Sequence, residues 1–313
     1  DTAALSSIMI PAMSEKGYKK GFSAALQAAS GCLGLIIPPS IPMIIMGGIT
    51  GISVAKLFVA GIIPGIVVSI ALMITARIVC IRQGMGVHDK TPFTLKNVWR
   101  TFKEAFLTLL APLIIMGGIL GGVFTATEAS VVAAVYTFII GFFVYKEIKL
   151  KDLVKILHEA GRKTGSVLII VASASIFSWL LTINNVHITM TNWIFAISDN
   201  PAVIMFLMMF IFFVLAMFID ETPLIIMLLP IMLPIAEKVG IDPMLFCILM
   251  VVNNAIGGIM PPVGTAVFVA SASCGIKTSE TIKQIFPFVL AYIICLILLY
   301  VFPQLVLWLP STT

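Results

Sequence analysis

The stretch Ser30-Gly-Cys-Leu-Gly-Leu-Ile-Ile-Pro-Pro-Ser-Ile-Pro42 lies inside a long apolar run, yet carries three prolines and two glycines. Proline has no backbone N–H and its ring clashes with the preceding turn, so a helix must break here. Glycine tolerates the backbone angles that such a break needs. The layout recurs in Asn253-Asn-Ala-Ile-Gly-Gly-Ile-Met-Pro-Pro-Val-Gly-Thr265, at an offset of 223. At that offset Pro11 matches Pro234, Gly17 matches Gly240, Gly34 matches Gly257, Pro38 and Pro39 match Pro261 and Pro262, and Pro64 matches Pro287. A colinear set of Pro and Gly over so long a stretch predicts an internal repeat with a broken helix in each copy. Lipid cannot hydrogen-bond an unwound backbone, so unwinding at membrane depth survives only where protein or a wet cavity covers it. Paired broken segments in two halves point to the binding site of a secondary transporter. Freed carbonyls can ligate a cation there, and the positive end of a half-helix can face an anion.

Composition supports a membrane reading. The 313 residues are 60% apolar and 11% charged, where soluble domains carry about a quarter charged residues. The chain is expected to be an all-α polytopic membrane protein. The net charge of +5 would favour nucleic acid only as a patch on a soluble domain. Here the basic residues sit in short loops between apolar runs, so they report topology and no nucleic-acid partner is expected. Cys32, Cys80, Cys247, Cys274 and Cys295 form no close pair and read as buried thiols rather than a disulfide or metal framework. His88, His158 and His187 have no ligand partner one turn away. No phosphate loop, nucleophile elbow or zinc-protease motif is present, so no enzyme is expected.

The apolar map runs as follows. Residues 3–13 are a helix of about half the 20 residues that a full crossing needs. Residues 21–47 are a helix broken at 31–42, and 57–81 are a span holding Pro64. An amphipathic interfacial helix is expected at 94–104, with Leu95, Val98, Trp99 and Phe102 on one face. Spans follow at 105–124 and 129–145, joined by a turn in which Glu128 reads as a helix cap. A basic amphipathic stretch, 146–163, precedes a span at 164–183, and a second interfacial helix is expected around Trp193. Two apolar arms, 202–219 and 222–236, flank Phe218-Ile-Asp-Glu-Thr-Pro223. The second broken helix covers 244–270, and the last span 281–309. The first repeat has no counterpart of the arm 202–219, so helices upstream of Asp1 are expected.

Charge counts order these segments. Regions 14–20, 77–103, 145–163 and 277–283 hold 3, 6, 6 and 2 of the 19 Lys and Arg. All four lie on the cytoplasmic side only if 202–236 enters and leaves on one face. That region then becomes a re-entrant hairpin with Asp220 and Glu221 at its tip, and the two repeats run in opposite directions. An intramembrane acid costs about 2.5–3.5 kcal/mol on insertion scales, so a partner or a wet site is required. Asp1 opens the matching element of the first repeat, four positions off the strict offset. Ser30, Ser40, Asn253, Asn254 and Thr265 border the breaks. With free carbonyls they offer neutral oxygens, which suit a weakly bound monovalent cation better than Mg²⁺ or Zn²⁺. Met205, Met208, Met209, Met227 and Met232 read as lipid-facing or packing residues.

The runs Ala28–Pro42, Gly122-Val-Phe-Thr-Ala-Thr-Glu-Ala129 and Gly257-Gly-Ile-Met-Pro-Pro-Val-Gly264 resemble the large membrane subunit of TRAP transporters, in the ion transporter superfamily. Cys32 and Leu35 stand where polar or proline residues are common in that family, and Asn253-Asn254 is unusual for it. The resemblance implies Na⁺-coupled secondary import of an organic acid, of sialic acid or C4-dicarboxylate type, across a bacterial inner membrane. It implies a soluble periplasmic substrate-binding protein and a small four-helix membrane subunit as partners, and an elevator movement. Carried onto this chain, one Na⁺ site would use carbonyls of Gly34, Ile37 and Pro39, and a second Asn254, Gly257 and Met260. The substrate would lie near Asp1, Ser30, Asp220, Thr222 and Asn253. The transport domain would be 1–56 with 201–280, and the scaffold 57–200 with 281–313. Two other readings compete: a stand-alone Na⁺-coupled dicarboxylate or citrate carrier of the same superfamily, and a non-transporting membrane scaffold.

Overall fold

The computed structural model describes residues 2–85 and 94–312, the side chain of Glu104 excepted. Every regular element among them is helical. In chain order these are α1 (Thr2–Glu15), α2 (Lys20–Gly31), α3 (Ile41–Thr50), α4 (Val54–Gln83), α5 (Leu95–Leu120), α6 (Ala126–Ile139) and α7 (Leu150–Ile183). Then follow α8 (Val186–Ile197), α9 (Pro201–Ala216), α10 (Glu221–Lys238), α11 (Pro243–Ile259), α12 (Thr265–Ser273), α13 (Thr278–Val301) and α14 (Gln304–Ser311). Four stretches, Val54–Gln83, Ala126–Val144, Leu150–Ile183 and Thr278–Val301, are long and apolar enough to cross a membrane. A fifth is the pair Leu95–Lys103 and Ala105–Leu120, bent by 64°. That bend falls where the amphipathic segment was expected to meet a span. Several apolar helices with no strand among the described residues fit a polytopic membrane protein.

Both double prolines break their helices as the sequence requires. A single 3₁₀ turn, Cys32–Leu35, carries α2 toward Pro38, and α3 begins only at Ile41. The second break runs from the end of α11 at Ile259 to the start of α12 at Thr265. Both Pro–Pro bonds are cis. Elsewhere the boundaries differ from the sequence reading. The basic stretch expected at 146–163 becomes helical only from Leu150 and runs on through 164–183 as the single helix α7, because nothing between them forbids helical angles. The last span stops at Val301, and α14 follows as a separate helix after Pro303. Glu128 closes a capping box: its Oε2 accepts the Thr125 N–H at 2.8 Å, and Thr125 Oγ1 accepts the Glu128 N–H at 3.3 Å.

The described residues divide into two compact units, Asp1–Asp89 with Ser173–Thr313, and Lys90–Ala172. In the smaller unit α5 packs on α6, and the Tyr136 hydroxyl donates to the Leu107 carbonyl at 2.8 Å. The larger unit is built around α11, whose residues Leu245–Gly257 are buried without interruption. A helix apolar on all sides belongs in a core, and α11 lies against α9, α10 and α13. Four of the five methionines singled out above, Met205, Met208, Met209 and Met232, are buried packing residues. On the other side α2 presents Gly21, Ala24, Ala25, Ala28 and Ala29, small residues that admit close approach to α13. An added Cβ at Gly21 would sit 2.9 Å from the Glu280 carbonyl oxygen. The rings of Phe22 and Phe288 lie 6.1 Å apart, and the buried Tyr292 hydroxyl donates to the Ala29 carbonyl at 2.8 Å.

Tyr292→Phe removes that bond and keeps the ring. It is expected to cost about 1 kcal/mol, read as a lower thermal unfolding midpoint in detergent. An unchanged midpoint would show that the hydroxyl does not fasten α2 to α13.

Candidate functional site

The site begins with hydrogen-bond accounting. In a helix each carbonyl is answered by the N–H four residues on. Residues 38, 39 and 42 are prolines and have no N–H to give. Gly34 therefore loses its partner, and its carbonyl accepts no hydrogen bond among the described residues. Leu35 loses its partner too, but the Ser40 hydroxyl replaces it at 2.5 Å. Pro39 would be answered by Met43, whose N–H turns instead to the Ser40 hydroxyl at 3.4 Å. The carbonyls of Ile37 and Pro39 are also left without donors among the described residues. Ser40 thus caps α3 and stitches the break, leaving the carbonyls of Gly34, Ile37 and Pro39 among those still open.

The second break repeats this arithmetic with Pro261 and Pro262. Gly257 recovers one bond, from the Met260 N–H at 3.1 Å. Gly258 has prolines at both the third and fourth positions beyond it, and its carbonyl, like that of Met260, accepts nothing among the described residues. Gly264 takes a left-handed conformation, φ 42°, to start α12. An added Cβ there would lie 3.1 Å from the Met260 oxygen.

Tertiary packing brings the two breaks to one place, at the turn between α9 and α10. A cavity of about 420 Å³ is lined by Gly34 and Pro39 from the first break, Gly258 and Thr265 from the second, and Asp220 and Glu221 from the turn. A smaller void of about 20 Å³ lies beside Asp220, Glu221, Asn254, Gly257 and Gly258. Asn254 is 3% exposed, and its Nδ2 is buried without a hydrogen-bond partner among the described residues. An orphaned buried amide carries a cost unless something completes it.

The charge pattern is one-sided. Asp220 and Glu221 line both spaces, no Lys, Arg or His lines either, and neither acid forms an ion pair among the described residues. No cluster of three His, Cys, Asp or Glu able to hold a metal exists among the described residues. The remaining positive potential comes from helix ends. The first turns of α3 (Ile41, Pro42), α12 (Thr265, Ala266) and α10 (Glu221) all border the 420 Å³ cavity. Each N-terminus carries about half a positive charge. Open carbonyls beside an acid pair suit a cation, and converging helix N-termini suit an anion.

Of the residues expected to bind, Gly34, Pro39, Asp220, Asn254 and Gly257 line these spaces. Five others lie off the lining. The Ser30 hydroxyl donates back to the Leu26 carbonyl at 2.8 Å, and Asn253 Nδ2 donates to the Met209 carbonyl at 2.7 Å, tying α11 to α9. Ile37 packs on α4 at Gly65, and Thr222 and Met260 are half-buried next to the lining. Asp1 lies outside the described residues. The sequence reading passed over Gly258 as a binding residue. The rule that freed Gly34 would have found it, since Pro262 stands four positions on. Cys32 was also missed as a cavity residue, and nothing in its neighbourhood in sequence signals that role.

The profile of the DctM component of tripartite ATP-independent periplasmic transporters matches residues 1–305. The sialic acid TRAP transporter large permease of Vibrio cholerae is 34% identical over 311 residues, covering 99% of this chain and 72% of that protein. The C4-dicarboxylate TRAP transporter large permease of Pseudomonas aeruginosa is 35% identical over 309 residues, with coverage of 99% and 72%. The 2,3-diketo-L-gulonate TRAP transporter large permease of Escherichia coli is 33% identical over 307 residues, with coverage of 98% and 72%.

Gly257→Ala tests the packing beneath the second break. The new Cβ would collide with the Ala216 Cβ and stand 2.8 Å from the Ala216 carbonyl oxygen, which is backbone and cannot swing aside. The variant is expected to lose about 1–3 kcal/mol of stability, measured as a lower unfolding midpoint. Gly34→Ala, which meets nothing within 4 Å, should keep the wild-type midpoint.

Proposed function

The chain belongs to the DctM family of tripartite ATP-independent periplasmic transporters, and from that premise we propose that it imports an organic acid together with Na⁺. As a large permease subunit it would be one part of a tripartite system. The observation that carries the reading is the meeting of two Pro–Pro breaks and an unpaired acid pair around one cavity. Na⁺ is taken by the open carbonyls of Gly34, Ile37 and Pro39 on one side. It is taken by the second break, with Asn254, Gly257 and Met260, on the other. The orphaned Asn254 Nδ2 is a donor and calls for an acceptor oxygen beside that second place, while its Oδ1 is the atom that would face Na⁺. The acid is received between them, near Asp220, with its carboxylate toward the first turns of α3 and α12.

Coupling follows from charge. With no cation bound, Asp220 and Glu221 repel an organic anion, since like charges about 4 Å apart oppose each other by ~4 kcal/mol near a protein surface. Na⁺ cancels that field and adds attraction, so cation and acid enter as a pair. The substrate is a sialic acid or C4-dicarboxylate type of acid, by likeness to the relatives above. A periplasmic binding protein delivers it, and a small four-helix membrane subunit supports the permease in the bacterial inner membrane.

The repeat pattern and charge distribution support two inverted halves, each with a hairpin and a broken helix. Residues 1–56 and 201–280 would move as the transport domain, in an elevator fashion, against a scaffold of 57–200 and 281–313.

Uptake into liposomes holding the permease, its small subunit and the cognate binding protein tests the proposal. Transport should require both an inward Na⁺ gradient and the binding protein. Asp220→Asn should lower the rate about tenfold or more, the factor given by ~1.4 kcal/mol. Full uptake with K⁺ alone, or without the binding protein, would overturn the reading.

A further inference from the structure

A second space in the larger unit belongs to neither break. It is a groove of about 550 Å³ between α1, the loop after it, α2 and α4. Its wall is apolar, formed by Met13, Phe22 and Leu26, while Lys16 and Arg77 stand on its lining. No Asp or Glu among the described residues lines it. Gln27 also reaches it, although this residue is only 8% exposed, and its side chain makes no hydrogen bond among the described residues. Its amide atoms are not fully buried and open toward the groove.

The surroundings show what medium the groove opens to. On one flank α1 exposes Leu5 and Ile8, and on the other α4 exposes Ile74, Ile78 and Ile81. Helix α4 is long and apolar enough to cross a membrane, so its exposed face is one that acyl chains would cover. Arg77 is six residues before the end of α4 at Gln83, about 9 Å along the axis at 1.5 Å per residue. A side chain of that length reaches from there to the headgroup layer. The loop 14–20 also brings Lys19 beside the end of α4, held to Gln83 by a bond of 3.0 Å. An apolar trough with a basic mouth and one unbonded amide matches an amphiphile with a negative head.

We propose that this groove binds an anionic phospholipid. Its phosphate is held by Lys16 and Arg77, its glycerol oxygens are met by Gln27, and an acyl chain lies along Met13, Phe22 and Leu26. The occupant is a lipid rather than a soluble phosphate because most of the wall is apolar and flanked by lipid-facing surface. This inference goes beyond the transport reading and stands without it, since it needs only that α4 spans the membrane.

Native mass spectrometry of the intact protein, released from detergent, tests the site with three probes. These are phosphatidylglycerol, phosphatidylethanolamine with the same acyl chains, and glycerol phosphate. Phosphatidylglycerol should be retained in preference to phosphatidylethanolamine, and glycerol phosphate should not be retained. Lys16→Gln and Arg77→Gln should each lower the affinity for phosphatidylglycerol about fivefold. Arg82→Gln, off the lining, should leave it unchanged. Lys16 is exposed, so Lys16→Gln gives the reading even if Arg77→Gln fails to fold. Leu26→Trp should expel the lipid without altering charge. Equal retention of the two lipids, equal loss with Arg82→Gln, or binding of glycerol phosphate as tight as the lipid would overturn the proposal.

Discussion

Every part of the candidate site depends on backbone groups that the chain itself cannot answer. In an apolar medium an unpaired carbonyl has no water to turn to, and leaving one costs several kcal/mol. Pro38, Pro39 and Pro42 withdraw donors on one side, and Pro261 and Pro262 on the other. Ser40 repairs part of the first break, with bonds of 2.5 Å and 3.4 Å, and the Met260 N–H repairs part of the second at 3.1 Å. Of the unrepaired carbonyls, those of Gly34, Pro39 and Gly258 belong to residues that line the cavities. The same deficit that makes these breaks unfavourable as structure makes them available as ligands.

The electrostatics extend this constraint. A cavity for acids would conventionally carry an arginine, yet no basic side chain among the described residues lines this one. Three helix N-termini supply positive potential in its place, while Asp220 and Glu221 oppose it. On the proposed reading, a small cation would tip this balance toward an anion. Basic residues are instead kept at the ends of α1 and α4, where they fit the headgroup layer of a membrane. Thus the two classes of anion, an acid in the cavity and a lipid head at the groove, would be met by different physics: backbone dipoles in one place and full charges in the other.

Packing explains how so open a backbone stays in position. Helix α11 is buried along Leu245–Gly257, and Asn253 spends its amide on the Met209 carbonyl rather than on the cavity. Gly257 sits so close to Ala216 that a methyl group would collide with it. The end of α9, the acid pair and the second break are therefore fixed to one another. Tyr292 and the small residues of α2 do the corresponding work where α2 meets α13.

By itself the sequence determined the all-helical membrane character, the positions of both breaks, the capping role of Glu128 and the isolation of Asp220 and Glu221 in apolar surroundings. These are local matters: proline and glycine act on their own backbone, and apolar length is a property of a contiguous run. Helix boundaries proved less legible where no breaker stood, as in the merging of 150–163 with 164–183, because propensity there is overruled by continuity. Only the tertiary structure decided which residues share a cavity. It set Gly34, Gly258 and Glu221 around one space, turned Ser30 and Asn253 toward backbone partners, and opened the groove at Arg77. Side-chain direction at a helix break depends on how distant helices pack, and that information is spread over the whole chain rather than written beside any one residue.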